Sequence, residues 1–375
     1  MKLLHLADLH LGKRVKGFDL LEDQRHILQE ILSLCDAHGV NAVLIAGDLY
    51  DTPVPPAAAT TLLDGFLTEL CARGIAVLAI GGNHDSGERL NYASTLLARQ
   101  DVHLAGRFTG QAPQVVLQDE HGPVEFVLLP FARAATVRHY LPEQELPDFR
   151  AAQAAALATA APLAERRVVL AHLMVLHAEA LPLFAGSESC TVNVGTVEAV
   201  DSALFDDFCY GALGHIHRPQ PVGRDTLRYA GAPLGYHVEE CGAEKSCILV
   251  TLGAHGVDDV QPLPLHPRRA MRHLVGPLAR LVEHPQDTDD YIWATLTDET
   301  PIPDAISVLR AAYPNVMQLG YRVIEGDATL PDSAAAIQNK PFETLFAEFF
   351  EKMNGRPPNE AELRAVRTLQ EEVSL

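Results

Sequence analysis

Positive charge is what this chain has least of: 29 lysines and arginines face 49 aspartates and glutamates, a net charge of −20. Most of its surface therefore repels a phosphate backbone, so any nucleic-acid contact has to be local, metal-assisted or shared with a partner. Cysteine is also sparse. The six residues Cys35, Cys71, Cys190, Cys209, Cys241 and Cys247 form no CxxC pair, which argues against a disulfide framework or a structural zinc site and leaves them as reduced core residues. No segment reaches the roughly 18 apolar residues of a membrane span. The opening MKLLHLADLHLG is interrupted by Asp8 and two histidines before it can act as a signal core. A cytoplasmic protein with no membrane attachment is expected, and there is no internal repeat.

What the sequence does have is a rhythm. Short apolar, β-rich runs (KLLHLA, VNAVLIAG, GIAVLAIGG, VEFVLLP, RRVVLAHL, CYGALGH) recur with helical stretches between them, the pattern of an α/β domain whose strands are buried on both faces. A chain of 375 residues suggests two or three domains. After SCILVTL, the prolines of QPLPLHPRR mark a boundary near residue 265. A second unit follows, with strands near RHLVG, YIWATLT and QLGYRV and a helix near Ala305 to Ala312. The resulting division is a catalytic domain over 1–264, a small α/β unit over 265–326, a polar linker over 327–340 and a helical hairpin over 341–375. In the hairpin, Phe342, Leu345, Phe346, Phe349, Phe350 and Met353 fall at helical spacing on one face, Asn354 and Gly355 end the helix, and Asn359 with Glu362 can cap the next.

Four strand runs end in a polar cluster: Asp8 and His10, Asp48 and Asp51, Asn83 to Asp85, and His215 and His217; a fifth run carries His172. Ligands of open α/β sheets collect beyond the carboxyl ends of strands, so these clusters should meet in space. In extended backbone, residues i and i+2 share a face, so the two histidines of GHIH should aim at one spot. Aspartate, asparagine and imidazole together suit manganese, iron or zinc better than magnesium. Seven groups (Asp8, His10, Asp48, Asn83, His172, His215, His217) are too many for one ion. They divide between two if Asp48 bridges them, the usual arrangement for attack of water on phosphate esters.

The order DxH, GDxxD, GNHD, H, GHxH resembles that of the calcineurin-like metallophosphoesterases. ADLHLG, GDLYDTPVPP, GGNHDS, YGALGHIHRPQ and YAGAPLGYHVEE are similar to the versions found in that family's DNA nuclease subunits, a likeness spanning about residues 1–250. The resemblance implies a four-layer αββα sandwich, a capping domain, and a C-terminal segment that docks on an SbcC-type coiled-coil ATPase, in a heterotetramer built on a homodimer. It implies two Mn2+ ions, other divalent ions being possible: Asp8, His10 and His217 on the first, Asn83, His172 and His215 on the second, Asp48 on both. His84 would protonate the leaving oxygen or stabilise the developing charge, and Asp51 would orient the His84 imidazole. The implied activity is 3′ to 5′ double-strand exonuclease and single-strand or hairpin endonuclease, serving DNA repair, recombination and replication. A small-substrate phosphodiesterase or phosphatase, which the acidic charge favours, is the alternative. A scaffold with a vestigial metal site is a third reading, weakened by the full set of ligands.

Overall fold

Strands covered on both faces must be apolar along their whole length, and Ala42–Ala46 and Ala76–Ile80 are buried at every residue. In the computed structural model, residues 1–188, 198–283, 285, 288–322, 346–351, 356–360 and 362–363 are described. The chain divides into two compact units, one of residues 1–191 and 197–322 and one of 192–196 and 323–375.

Two six-stranded mixed sheets organise the first unit. The first runs Gly256–Leu265, Lys245–Gly253, Lys2–Leu6, Ala42–Ala46, Ala76–Ile80, Val102–Ala105, with the last four strands parallel. The second runs Gln220–Val222, Arg224–Tyr229, Tyr210–Gly214, Arg166–His172, Gly122–Leu129, Gln114–Asp119, with its four central strands parallel. Side chains from both sheets, among them Leu3, Leu44, Leu78, Phe126, Leu170, Tyr210 and Ile248, share one buried cluster. The outer face of the first sheet packs under the helices Leu21–His38 and Ala57–Ala72. That of the second packs under Ala134–Tyr140 and Phe149–Ala158. The layers are therefore helix, sheet, sheet, helix. In the alanine-rich helix Phe149–Ala158, Ala152 and Ala156 are buried, so it is part of the packing.

Residues 271–321 form a three-stranded parallel sheet, Met271–Gly276, Tyr291–Leu296 and Val316–Tyr321, with helices Leu278–Glu283 and Ala305–Ala312. One face builds its own core from Leu278, Ile292, Leu296, Leu309 and Val316. Tyr291, Trp293 and Met317 on the other join the cluster beneath the first sheet's helices. Asp23, 1% exposed, fastens that contact by accepting from the Tyr291 hydroxyl at 2.8 Å and from Arg269 at 2.8 Å.

In the second unit, residues 346–351 are helical. The rings of Phe346 and Phe350 lie 5.7 Å apart, and Phe349 is 63% exposed. The Asn359 side chain accepts from the Glu362 amide at 3.0 Å while Glu362 accepts from the Asn359 amide at 2.7 Å, a reciprocal capping pair. Phe342, Leu345, Met353, Asn354 and Gly355 of the expected hairpin, like Cys190, lie outside the described residues.

Candidate metal centre

Each cluster sits just beyond the carboxyl end of a parallel strand. Asp8 and His10 follow Lys2–Leu6, Asp48 follows Ala42–Ala46, Asn83 follows Ala76–Ile80, His172 ends Arg166–His172, and His215 and His217 follow Tyr210–Gly214. The two sheets meet face to face, so these five ends converge.

The turns that carry them are strained. Asp8, His10 and Asp48 have φ of 54°, 43° and 51°, and His215 has φ of 95°, a region that costs a non-glycine residue of order 1–3 kcal/mol. The expectation that GHIH is extended is therefore corrected: the strand stops at Gly214, and the twist at His215 turns the two imidazoles toward different partners. His215 Nδ1 lies 3.1 Å from Asn83 Oδ1, whereas His217 Nε2 lies 3.2 Å from His10 Nε2. Gly47 permits another close approach, since a Cβ there, at φ 92°, would collide with the His172 ring.

Two sets of donor atoms result. In one, His10 Nε2 and His217 Nε2 face each other, with Asp48 Oδ2 3.6 Å from the former and Asp8 Oδ1 3.9 Å from the latter. In the other, His172 Nε2 lies 3.0 Å from Asn83 Oδ1 and 3.3 Å from Asp48 Oδ2, with His215 Nδ1 beside the same amide oxygen. Asp48 Oδ2 belongs to both sets, because Oδ1 accepts the His84 main-chain N–H at 2.9 Å. Asp8, His10, Asp48, His172 and His217 are at most 3% exposed. Asn83, His84, His215 and Asp51 are partly buried and mark the open side.

The chemistry of these donors fits divalent cations. His172 Nδ1 faces the Ala46 carbonyl at 2.8 Å, so Nδ1 carries a hydrogen and Nε2 is the ring atom turned toward two oxygens. His217 Nδ1 faces Ser187 Oγ, and His10 Nδ1 faces Asp51 Oδ1 at 3.3 Å, off line for a full hydrogen bond. Each ring thus turns its Nε2 toward the other, and this convergence of nitrogen and carboxylate donors suits a cation between them. The protein's own electrostatics point the same way. Burial lowers the pKa of His10 and His217 and takes His215 down to about 3, so these rings are neutral, as metal ligands must be. Burial works against a proton on His172 as well, but the Asp48 charge beside it wins and raises its pKa to about 9. Asp8 is pushed up to about 8 by burial. Among the described residues three triads could each hold an ion: Asp8–His10–His217, Asp8–Asp48–His172 and His10–Asp48–His84.

His84 Nδ1 is 2.9 Å from the main-chain carbonyl of Asp51, whereas the Asp51 carboxylate faces Lys13 Nζ at 2.6 Å and His10. The expected link from Asp51 to His84 thus runs through the backbone, and the side chain supports His10 instead.

Several supporting residues escaped the sequence reading. Tyr236 donates to the Leu9 carbonyl at 3.0 Å and Gln24 Nε2 to that of His10 at 2.7 Å, bracing the strained DLH turn. Asp85 accepts the amides of Leu49, Tyr50 and Gly82 at 3.0, 2.9 and 3.0 Å, clamping the turn after Ala46 to the turn after Ile80. Only the GNHD and YAGAPLGYHVEE fragments gave any hint of them. Asp85→Ala should cost roughly 1–3 kcal/mol for each amide left without a partner, measured as a lower urea midpoint at unchanged m-value.

Comparison with known proteins is consistent with this geometry. Residues 1–144 match the family described as calcineurin-like phosphoesterase. Residues 267–354 match the SbcD_C family, described as type 5 capsule protein repressor C-terminal domain. A solved dimetal phosphatase from Danio rerio (LOC 393393) is 13% identical with a TM-score of 0.35, covering 71% of this chain and 99% of its own; at that distance it has no bearing on the site. Fold and donor clusters define a metal-dependent phosphoesterase with a dimetal-type site. The chain belongs to the calcineurin-like phosphoesterase superfamily and, by its second match, to the SbcD-like nucleases within it. Among the described residues, no helix is long and apolar enough to cross a membrane.

Proposed function

We propose that the chain is the nuclease subunit of an SbcCD-type complex, a manganese-dependent enzyme that cuts DNA phosphodiesters as a 3′ to 5′ double-strand exonuclease and a single-strand or hairpin endonuclease, with an SbcC-type ATPase controlling access. The observation that carries this reading is the pair of donor sets sharing Asp48 Oδ2. Asp8, His10 and His217 with Asp48 would hold one ion, and Asn83, His172 and His215 with Asp48 the other. Bound there, two divalent ions would supply an activated water and neutralise charge on the phosphate.

The residues around them do the rest. His84, whose Nδ1–H donates to the Asp51 carbonyl, would in its imidazolium form carry a second proton on Nε2 and hand that proton to the leaving oxygen, ending as the neutral ring. Its main-chain N–H fixes the Asp48 carboxylate. Arg14 and Lys16 are exposed a short way along the chain from His10, a foothold for a phosphate backbone on an otherwise acidic chain, whereas Lys13 between them and the site is paired with Asp51. The acidic charge elsewhere favours the alternative of a small phosphodiester substrate. The test is purified protein with and without manganese, on hairpin DNA and on a small phosphodiester. Cleavage of the small ester alone, with the ATPase present, would refute the nuclease reading.

His84 also lies in one of the three triads that could hold an ion, so its role is open to direct measurement. His84→Ala should slow the chemical step by roughly 10²–10⁴-fold while both manganese ions remain bound. Loss of one equivalent on titration would make it a ligand.

A further inference from the structure

We propose that Ser187, Glu188 and Glu240 are positioning residues that fix the tautomer and orientation of His217. The proposal rests on reading His217 as a metal ligand and adds the device that prepares it. Nothing in the local sequence joins these residues, since Ser187 lies 30 positions before His217 and 53 before Glu240.

Glu240, 4% exposed, lies in the short turn Val238–Glu240. Its Oε1 accepts the main-chain N–H of Tyr236 at 2.9 Å and of His237 at 3.1 Å, and its Oε2 meets the ammonium of Lys245. Each of these neighbours donates, so the carboxylate acts only as an acceptor. Ser187 Oγ lies 2.8 Å from Oε1 and must therefore spend its single hydrogen on Glu240. The remaining lone pairs of that hydroxyl face His217 Nδ1 at 2.7 Å, and the imidazole must be the donor. His217 is thereby held as the Nδ1–H tautomer, with Nε2 bare toward His10 Nε2 and Asp8 Oδ1. A ligating histidine needs this form, and outer partners of this kind set it.

The backbone of the same residue is gripped as well. Glu188 Oε1 accepts the His217 main-chain N–H at 3.0 Å and the Ala185 N–H at 2.7 Å. Consecutive residues of one loop thus hold His217 by ring and by main chain. The loop reaches this position through Gly186, at φ 85°, where a Cβ would stand 2.5 Å from Glu239 Oε2 and 2.6 Å from His237 Nδ1. His10 has a parallel support in Asp51 and Lys13, but only the His217 chain contains a neutral hydroxyl whose removal changes no charge. Ser187 is therefore the residue to alter.

The experiment uses the full chain and Mn2+ as the probe. Binding is followed by calorimetry and electron paramagnetic resonance, and the imidazole nitrogens are followed by 15N NMR of histidine-labelled protein, with His217 assigned by its disappearance in His217→Ala. Ser187→Ala should weaken one of two manganese sites by roughly 10–100-fold, leave the other unchanged, and blur the Nδ1–H signature of His217 into a tautomer mixture. Ser187→Thr, which keeps the hydroxyl, should restore both. Equal weakening of both sites with a lower melting temperature, or wild-type affinity in Ser187→Ala while His217→Ala loses one ion, would overturn the positioning role and leave the metal reading standing. If His217→Ala itself keeps both ions, the ligand reading falls and the proposal falls with it.

Discussion

Asp48→Asn is expected to abolish manganese-dependent cleavage of both hairpin DNA and a small phosphodiester, by roughly 10³-fold or more, because an activated water at neutral pH is the main thing the two ions contribute. The substitution keeps the size of the side chain and an oxygen for the His84 amide, so the effect isolates the lost charge and the lost Oδ2 that both donor sets share. Calorimetric titration should show both manganese ions weakened, where loss of any unshared ligand weakens one. A variant that binds one ion normally would show that Asp48 serves a single site. The same carboxylate also governs the chelator-treated protein. His172 has its folded pKa raised to about 9 against an ordinary 6.5, with burial opposing and Asp48 outweighing it. A raised histidine pKa stabilises fully below about 6.5, and this contribution is lost as pH climbs through about 9. Wild type should therefore lose stability across that window. Asp48→Asn should lose less, since burial then leaves His172 neutral throughout and only the buried Asp8, raised to about 8, still titrates in that window.

How much of this was legible beforehand divides along a physical line. Strand runs ending in Asp8, Asp48, Asn83, His172 and His215 could be read from hydrophobic patterning, because strands buried on both faces leave continuous apolar segments. The elements of 271–321 were read in the same way. The backbone at the site could not be. Left-handed φ at Asp8, His10, Asp48 and His215 is imposed by tertiary contacts, such as Tyr236 on the Leu9 carbonyl and Gln24 on that of His10, that span 227 and 14 residues. The GHIH motif shows the cost of assuming regular geometry: the two histidines serve the centre from different directions because the strand ends one residue earlier. Asp51 shows a second limit. The resemblance implies that Asp51 orients His84, but whether carbonyl or carboxylate makes the contact depends on Lys13, which no spacing rule reveals.

The second large effect is expected at Phe349, where the proposed ATPase contact can be separated from catalysis. Its ring is 63% exposed on the helical segment 346–351, beside the packed pair Phe346 and Phe350. Burying one phenylalanine is worth about 1.5–3 kcal/mol, and an aromatic anchor at the centre of an interface dominates its energetics. Phe349→Asp removes that gain and would bury an unpaired charge in the complex. Affinity for an SbcC-type ATPase should fall by roughly 30- to 1,000-fold, the equivalent of about 2–4 kcal/mol. Manganese-dependent cleavage of a small phosphodiester should be unchanged, since Asp8, His10, Asp48, Asn83, His172, His215 and His217 all belong to the other compact unit. Truncation after residue 340 should reproduce both results. A pull-down with the ATPase, paired with the small-ester assay on the same preparations, decides the matter. Retained binding in the truncated chain would mean that the partner docks elsewhere, and lost small-ester activity would mean that the aromatic helix is part of the catalytic fold.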